Sequence, residues 1–78
     1  MEIGTGLLAI GAAFAVGLAA LGTGYAQSHI GSAGAGAIAE KPEVSGTIIL
    51  LIAIPETMLI LGFAVAAMII LVLPGSIR

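Results

Sequence analysis

Ala39-Glu40-Lys41-Pro42-Glu43-Val44 holds half of the chain's charged side chains and separates two runs in which charge is almost absent. From Ile3 to Ala39 no residue carries a formal charge unless His29 is protonated. From Val44 to Leu73 the one charged residue is Glu56. About 20 helical residues, rising ~1.5 Å each, cross the ~30 Å of hydrocarbon in a bilayer, and both runs are longer than that. Three charges around a proline cannot lie cheaply in lipid, so the segment between the runs belongs in water. Inside a bilayer the backbone must satisfy its own N–H and C=O groups, and two helices joined by a polar turn do so. The expected fold is therefore an all-α membrane protein, a two-transmembrane-helix hairpin occupying residues 1–78 as one unit. Helix 1 is expected over 3–39, the polar loop over 40–43 and helix 2 over 44–73, with Pro74-Gly75 ending the second span.

Composition agrees with this reading and excludes several others. Of the 78 residues 60% are hydrophobic and 8% charged, against about a quarter charged in soluble domains. There is no cysteine and a single histidine, which rules out disulfide stapling and a zinc cluster. Lys41 and Arg78 are the only formal cations, too few to neutralise a row of phosphates, so nucleic acid is not an expected partner. Met1-Glu2-Ile3 lacks the basic start of a secretory signal, and the first span is expected to stay in the mature protein. Charge counting leaves orientation open, because Lys41 at the loop is balanced by Arg78 at the other end.

The two spans differ in composition. Helix 1 holds nine glycines, at 4, 6, 11, 17, 22, 24, 31, 34 and 36, whereas helix 2 is mainly Ile, Leu, Val and Ala. A glycine costs nearly 1 kcal/mol relative to alanine inside a helix, so this density calls for a reason. Small residues let helices approach closely in lipid, where association rests on van der Waals contact. Gly17, Gly24 and Gly31 recur every seven residues, as do Gly4 and Gly11 with a one-residue slip, and together they are read as one near-continuous packing stripe. Gly22 and Gly36 lie off that stripe. Helix 1 is accordingly expected to pack against several neighbours, as the inner layer of a ring would.

The chemistry centres on Glu56. It lies thirteen residues after Glu43, about 20 Å from the loop and near mid-membrane. Gln27 lies thirteen residues before Glu40, so folding at the loop brings the two to equal depth. An ionised carboxyl there is costly and must be protonated, paired or bound to a cation. Neither span contains Lys or Arg, and His29 falls roughly 200° round the helix from Gln27, off its face. A carboxyl that alternates between neutral and cation-loaded states is a carrier. Thr57 adds a hydroxyl, Gln27 offers either its carbonyl or its amide hydrogens, and Pro55 frees local carbonyls by lacking an N–H. The carbonyl of Ile54 is a further candidate oxygen. Such an all-oxygen set suits a hard cation. Each polar residue also has a purely structural alternative: Thr57 bonding back to Ala53, Gln27 joining the helices, Pro55 making a kink. Tyr25 and His29, at i and i+4, are expected to share a face and are assigned no chemistry.

In order and at matched depth, Gly22-x-Gly24-x-x-Gln27, Ala39-Glu40-Lys41-Pro42-Glu43 and Ile54-Pro55-Glu56-Thr57 resemble the c subunit, or proteolipid, of rotary ATP synthases and ATPases. The Glu-Lys-Pro-Glu turn and Pro-Glu-Thr triplet look more like the A-type and V-type branch (K subunit) than the F-type. The resemblance implies a homo-oligomeric ring with helix 1 inside, turning against a stator subunit that carries an essential arginine. It further implies that Glu56 carries Na⁺ or H⁺, that central-stalk subunits meet the loop on the cytoplasmic side of the cell membrane, and that the chain itself is not catalytic and needs no cofactor beyond the transported ion. Glu56, Gln27, Thr57 and the Ile54 carbonyl resemble the family's sodium-binding set. Met58 and Leu61 depart from it, standing where such rings often have a polar residue and a tyrosine. A rival from another class is a structural or pore-forming hairpin, holin-like or a channel subunit. That reading accounts for the glycines but not for a carboxylate matched in depth to Gln27.

Overall fold

The computed structural model describes residues 2–76, so Met1 and Arg78, the cation that balances Lys41 in the charge count, lie outside it. Helix α1 runs over Ile3–Glu40, a 3₁₀ turn over Pro42–Val44, α2 over Ser45–Leu71, and a last helical turn, α3, over Leu73–Ser76. The 38 residues of α1 account for ~57 Å at ~1.5 Å each, which matches the molecule's 58 Å long axis. Both long helices are sufficiently extended and apolar to cross a membrane.

The reversal follows from Pro42. A residue preceding proline is pushed out of the α region, and Lys41 adopts φ −136° and ψ 88°. Its N–H still bonds to the Ala37 carbonyl at 2.8 Å, closing α1 one residue later than the sequence suggests, at Glu40. Pro42, with no N–H to satisfy, then opens the next turn. At the far end α2 breaks at Val72 rather than continuing to Leu73. Pro74 cannot donate to the carbonyl of Ile70, and the chain resumes as the separate turn of α3. Pro55, by contrast, leaves α2 a single helix.

Little of the hairpin is buried: Ala12, Thr23, Gly34 and Ala66 are, while large apolar side chains such as Leu21 (72% exposed) and Leu71 (78%) lie open. Such a surface belongs against lipid or another apolar chain. The helices meet along small residues. A Cβ added at Gly62 would stand 2.5 Å from the Ala19 Cβ and 2.9 Å from the Ala15 carbonyl oxygen, and one at Gly34 would collide with the Ile48 side chain. Gly17, Gly24 and Gly31 behave differently, since a Cβ on any of them meets nothing within 4 Å. The expected packing stripe is thus not the seam with α2. At ~100° per residue it lies roughly 110° round α1 from the Ala12–Ala19–Thr23–Gly34 seam. Gly4, Gly11, Gly22 and Gly36 lie at a similar angle on the other side, and they too are open, so Gly4 and Gly11 do not continue the Gly17–Gly24–Gly31 stripe as expected: the one-residue slip carries them to the opposite flank.

These two seam glycines predict different sensitivities. Gly62→Ala presses on the backbone of α1, which cannot step aside, and should destabilise the hairpin by about 1–3 kcal/mol. Gly34→Ala presses on a side chain that can change rotamer and should cost less. Unfolding of the purified chain in mixed micelles, followed by interhelical energy transfer, measures both; equal losses would contradict this description of the seam.

Candidate functional site

The turn fixes the pairing of the antiparallel helices, and Gln27 thereby meets Glu56. Gln27 Nε2 donates to Glu56 Oε2 at 2.6 Å and more weakly to the Ile52 carbonyl at 3.4 Å. An ionised carboxyl accepts such a bond on either oxygen and a neutral one accepts it on its carbonyl oxygen, so the amide can serve Glu56 in both states. The bond joins positions 29 residues apart in sequence and closes one side of the interhelical seam. Gln27 is half-buried, whereas Glu56 stands exposed on the flank of the hairpin.

Thr57 and Ile54 form a second pair. The Thr57 hydroxyl bonds to the Ala53 and Ile54 carbonyls, each at 2.9 Å, so the back-bond available to a membrane threonine is present and the Ile54 carbonyl is included in it. Thr57 is exposed and lies ~100° round α2 from Glu56. Within one hairpin, then, the four candidate ligands divide into Glu56 with Gln27 and Thr57 with Ile54, and the two pairs are not brought together. Tyr25 and His29 do share a face, with ring centroids 4.4 Å apart and His29 Nδ1 3.0 Å from the Tyr25 carbonyl. His29 is not among the hydrogen-bonding partners of Glu56.

Sequence reasoning missed Thr23. It is 5% exposed, and its hydroxyl donates across the seam to the Pro55 carbonyl at 3.0 Å. The available signal was its position four residues before Gln27, which puts two polar side chains on one face of an otherwise apolar helix. On the flank away from Glu56 lies an apolar groove of about 310 Å³ lined by Leu18, Gly22, Ala26, Ile54 and Met58 among others.

Fold and site together define a two-span membrane hairpin that carries one amide-bonded carboxyl within its second span. The chain belongs to the C-subunit family of ATP synthases, which it matches over residues 10–76. It is similar to the K subunit of the A-type ATP synthase of Methanocaldococcus jannaschii, at 45% identity over 64 residues, covering 82% of this chain and 29% of that relative's length. It is also similar to the ATP synthase c subunit of Carboxydothermus hydrogenoformans, at 39% identity over 74 residues and 90% of each chain. A third relative, the ATP synthase c subunit of Gloeobacter violaceus, is 39% identical over 69 residues, covering 83% of this chain and 84% of the relative.

Proposed function

We propose that this chain is the ion-carrying, non-catalytic subunit of a rotary ATP synthase or ATPase, with identical hairpins closed into a ring. Glu56 takes up one Na⁺ or H⁺ at one side of the membrane and gives it up at the other, so that ion flow and rotation are coupled. The observation that carries this reading is the Gln27–Glu56 hydrogen bond within two apolar spans. A mid-span carboxyl is costly as a mere structural device, and an amide partner does not remove its charge. The asymmetry between its states supplies the mechanism. Empty Glu56 is charged and stable only beside water or a cation, here the arginine of a stator subunit. Loaded Glu56 is neutral and can pass lipid. The ring therefore turns only with loaded sites facing hydrocarbon, while the loop at Lys41 engages the central stalk in the cytoplasm.

Ring closure is supported by the glycines on α1. The Gly17–Gly24–Gly31 flank and the Gly4–Gly11–Gly22–Gly36 flank differ, so copies meet head to tail, and a head-to-tail contact that closes makes a ring. In that arrangement the groove flank of one copy covers the Glu56 flank of the next. The Ile54 carbonyl and Thr57 hydroxyl of a neighbouring copy then join Glu56 and Gln27, with Met58 as an apolar cover. This oxygen set favours Na⁺, and H⁺ is the alternative.

Gly24→Leu should leave the hairpin intact, because the space beside Gly24 is open within one chain. It should abolish the ring, whose closest approach it fills. Native mass spectrometry in mild detergent separates the two effects. A wild-type chain that stays monomeric or dimeric would defeat the ring itself.

Dicyclohexylcarbodiimide attacks a protonated carboxyl in an apolar setting, so it should modify Glu56 and spare Glu2, Glu40 and Glu43, which lie at the chain end and loop. If Na⁺ is carried, millimolar Na⁺ should slow the reaction, and its protection should weaken as pH falls because proton and metal compete for the same oxygens. Gln27→Leu and Thr57→Ala should each reduce Na⁺ protection more than basal labelling. Labelling without Na⁺ protection at any pH leaves a proton-carrying ring. An unreactive Glu56 removes the carrier reading.

A further inference from the structure

The threonine and serine hydroxyls of α1 and α2 that donate to backbone carbonyls fall into two groups. Ser28 bonds to the Tyr25 carbonyl, Ser32 to that of Ser28, and Thr57 to those of Ala53 and Ile54, all within their own helices. This is the usual resort of a hydroxyl in a membrane helix. Thr23 instead spends its hydrogen across the seam, on Pro55. The acceptor belongs to the residue immediately before Glu56, and that residue is where α2 is weakest. Pro55 has no N–H, so the Leu51 carbonyl lacks its helical partner and the ring crowds the preceding turn. Gln27, one turn further along the same face of α1, reaches the Ile52 carbonyl on the other side of this break. Two side chains of α1 thus hold α2 before and after the missing bond, with the carboxyl of Glu56 at the join.

We infer that Thr23 is a positioning residue for the carrier: by tying the Pro55 carbonyl to α1 it splints α2 across the proline break and holds Glu56 against Gln27. This rests on the carrier reading above and adds to it. Thr23 touches neither the ion nor the carboxyl; it sets the rotation of α2 at their level. Without its hydroxyl α2 is free to turn about the break, the Gln27–Glu56 bond loosens, and the carboxyl becomes more available to reagents.

The test is the rate of dicyclohexylcarbodiimide labelling of Glu56 in the assembled ring, without added Na⁺. Thr23→Val, which keeps shape and loses the hydroxyl, should label about threefold faster, the factor a typical interhelical hydrogen bond in lipid represents. Thr23→Ser should restore the wild-type rate, whereas Ser32→Ala, which removes a hydroxyl bonded within α1, should leave it unchanged. Thr23→Ala serves as a second hydroxyl-free variant should valine not fit the seam. A wild-type rate in either hydroxyl-free ring overturns the proposal, as does an equally fast serine variant, which would make packing the cause. Failure of both hydroxyl-free variants to assemble also overturns it, because Thr23 would then be a folding residue only. A Glu56 that labels in no protein, wild type included, defeats the carrier reading instead, so the two failures are distinguishable.

Discussion

A carboxyl held within hydrocarbon constrains this chain more than any other feature. Water can solvate Glu2 and the loop acids, but the only polar company available to Glu56 is what the hairpin or another chain brings to its depth. The helices already satisfy most of their own backbone. What remains is a short set of side chains and the carbonyls near Pro55, and the fold gathers them at one level. Gln27 reaches the carboxyl, Thr23 reaches the carbonyl just before it, and the loop at Pro42 fixes the register that makes both contacts possible. A shift of one residue at the turn would carry Gln27 ~100° away round its helix.

The glycines divide by what they approach. Gly34 and Gly62 are required by the hairpin, because α1 and α2 pass there too closely for a Cβ. Most of the others have open space beside them and gain nothing within one chain, although each weakens the helix it occupies. A hairpin alone gives no reason to retain them. Neighbours on both flanks of α1 do, and the same neighbours would cover the large apolar side chains that the hairpin leaves open.

The two-helix fold is legible in the sequence because charge and proline are so concentrated at 40–43, and because lipid permits few alternatives. The Gln27–Glu56 contact is legible by counting equal distances from the turn. Counting fixes depth but not rotation, and most of what the sequence leaves hidden depends on rotation. The heptad at Gly17, Gly24 and Gly31 signals close packing, yet nothing in its spacing says which neighbour it meets. Thr57 and Glu56 are adjacent in sequence and at one depth, which suggests ligands of one site, but a helix turns them ~100° apart and one hairpin does not join them. Thr23 escapes a sequence reading because a membrane threonine ordinarily bonds back into its own helix, and only the placement of α2 reveals that this one does not.

Proline beside the carboxyl looks at first like a defect, since it removes a backbone bond where lipid offers no replacement. Its effect depends on what else lies at that level. In an isolated α2 it would leave the Leu51 carbonyl unpaired and the carboxyl on a loosened segment. Against α1 the neighbouring carbonyls of Ile52 and Pro55 gain bonds from Gln27 and Thr23, and α2 stays a single helix. The level of the missing bond then has side-chain bonds from α1 beside what remains of the backbone ladder. Side-chain bonds can be exchanged one at a time, whereas a backbone ladder resists local rotation as a unit. On the proposed reading, in which Glu56 takes up and releases an ion within lipid, the carboxyl needs a position that is defined at rest and still able to change, and side-chain bonds beside the proline's missing backbone bond would meet both demands.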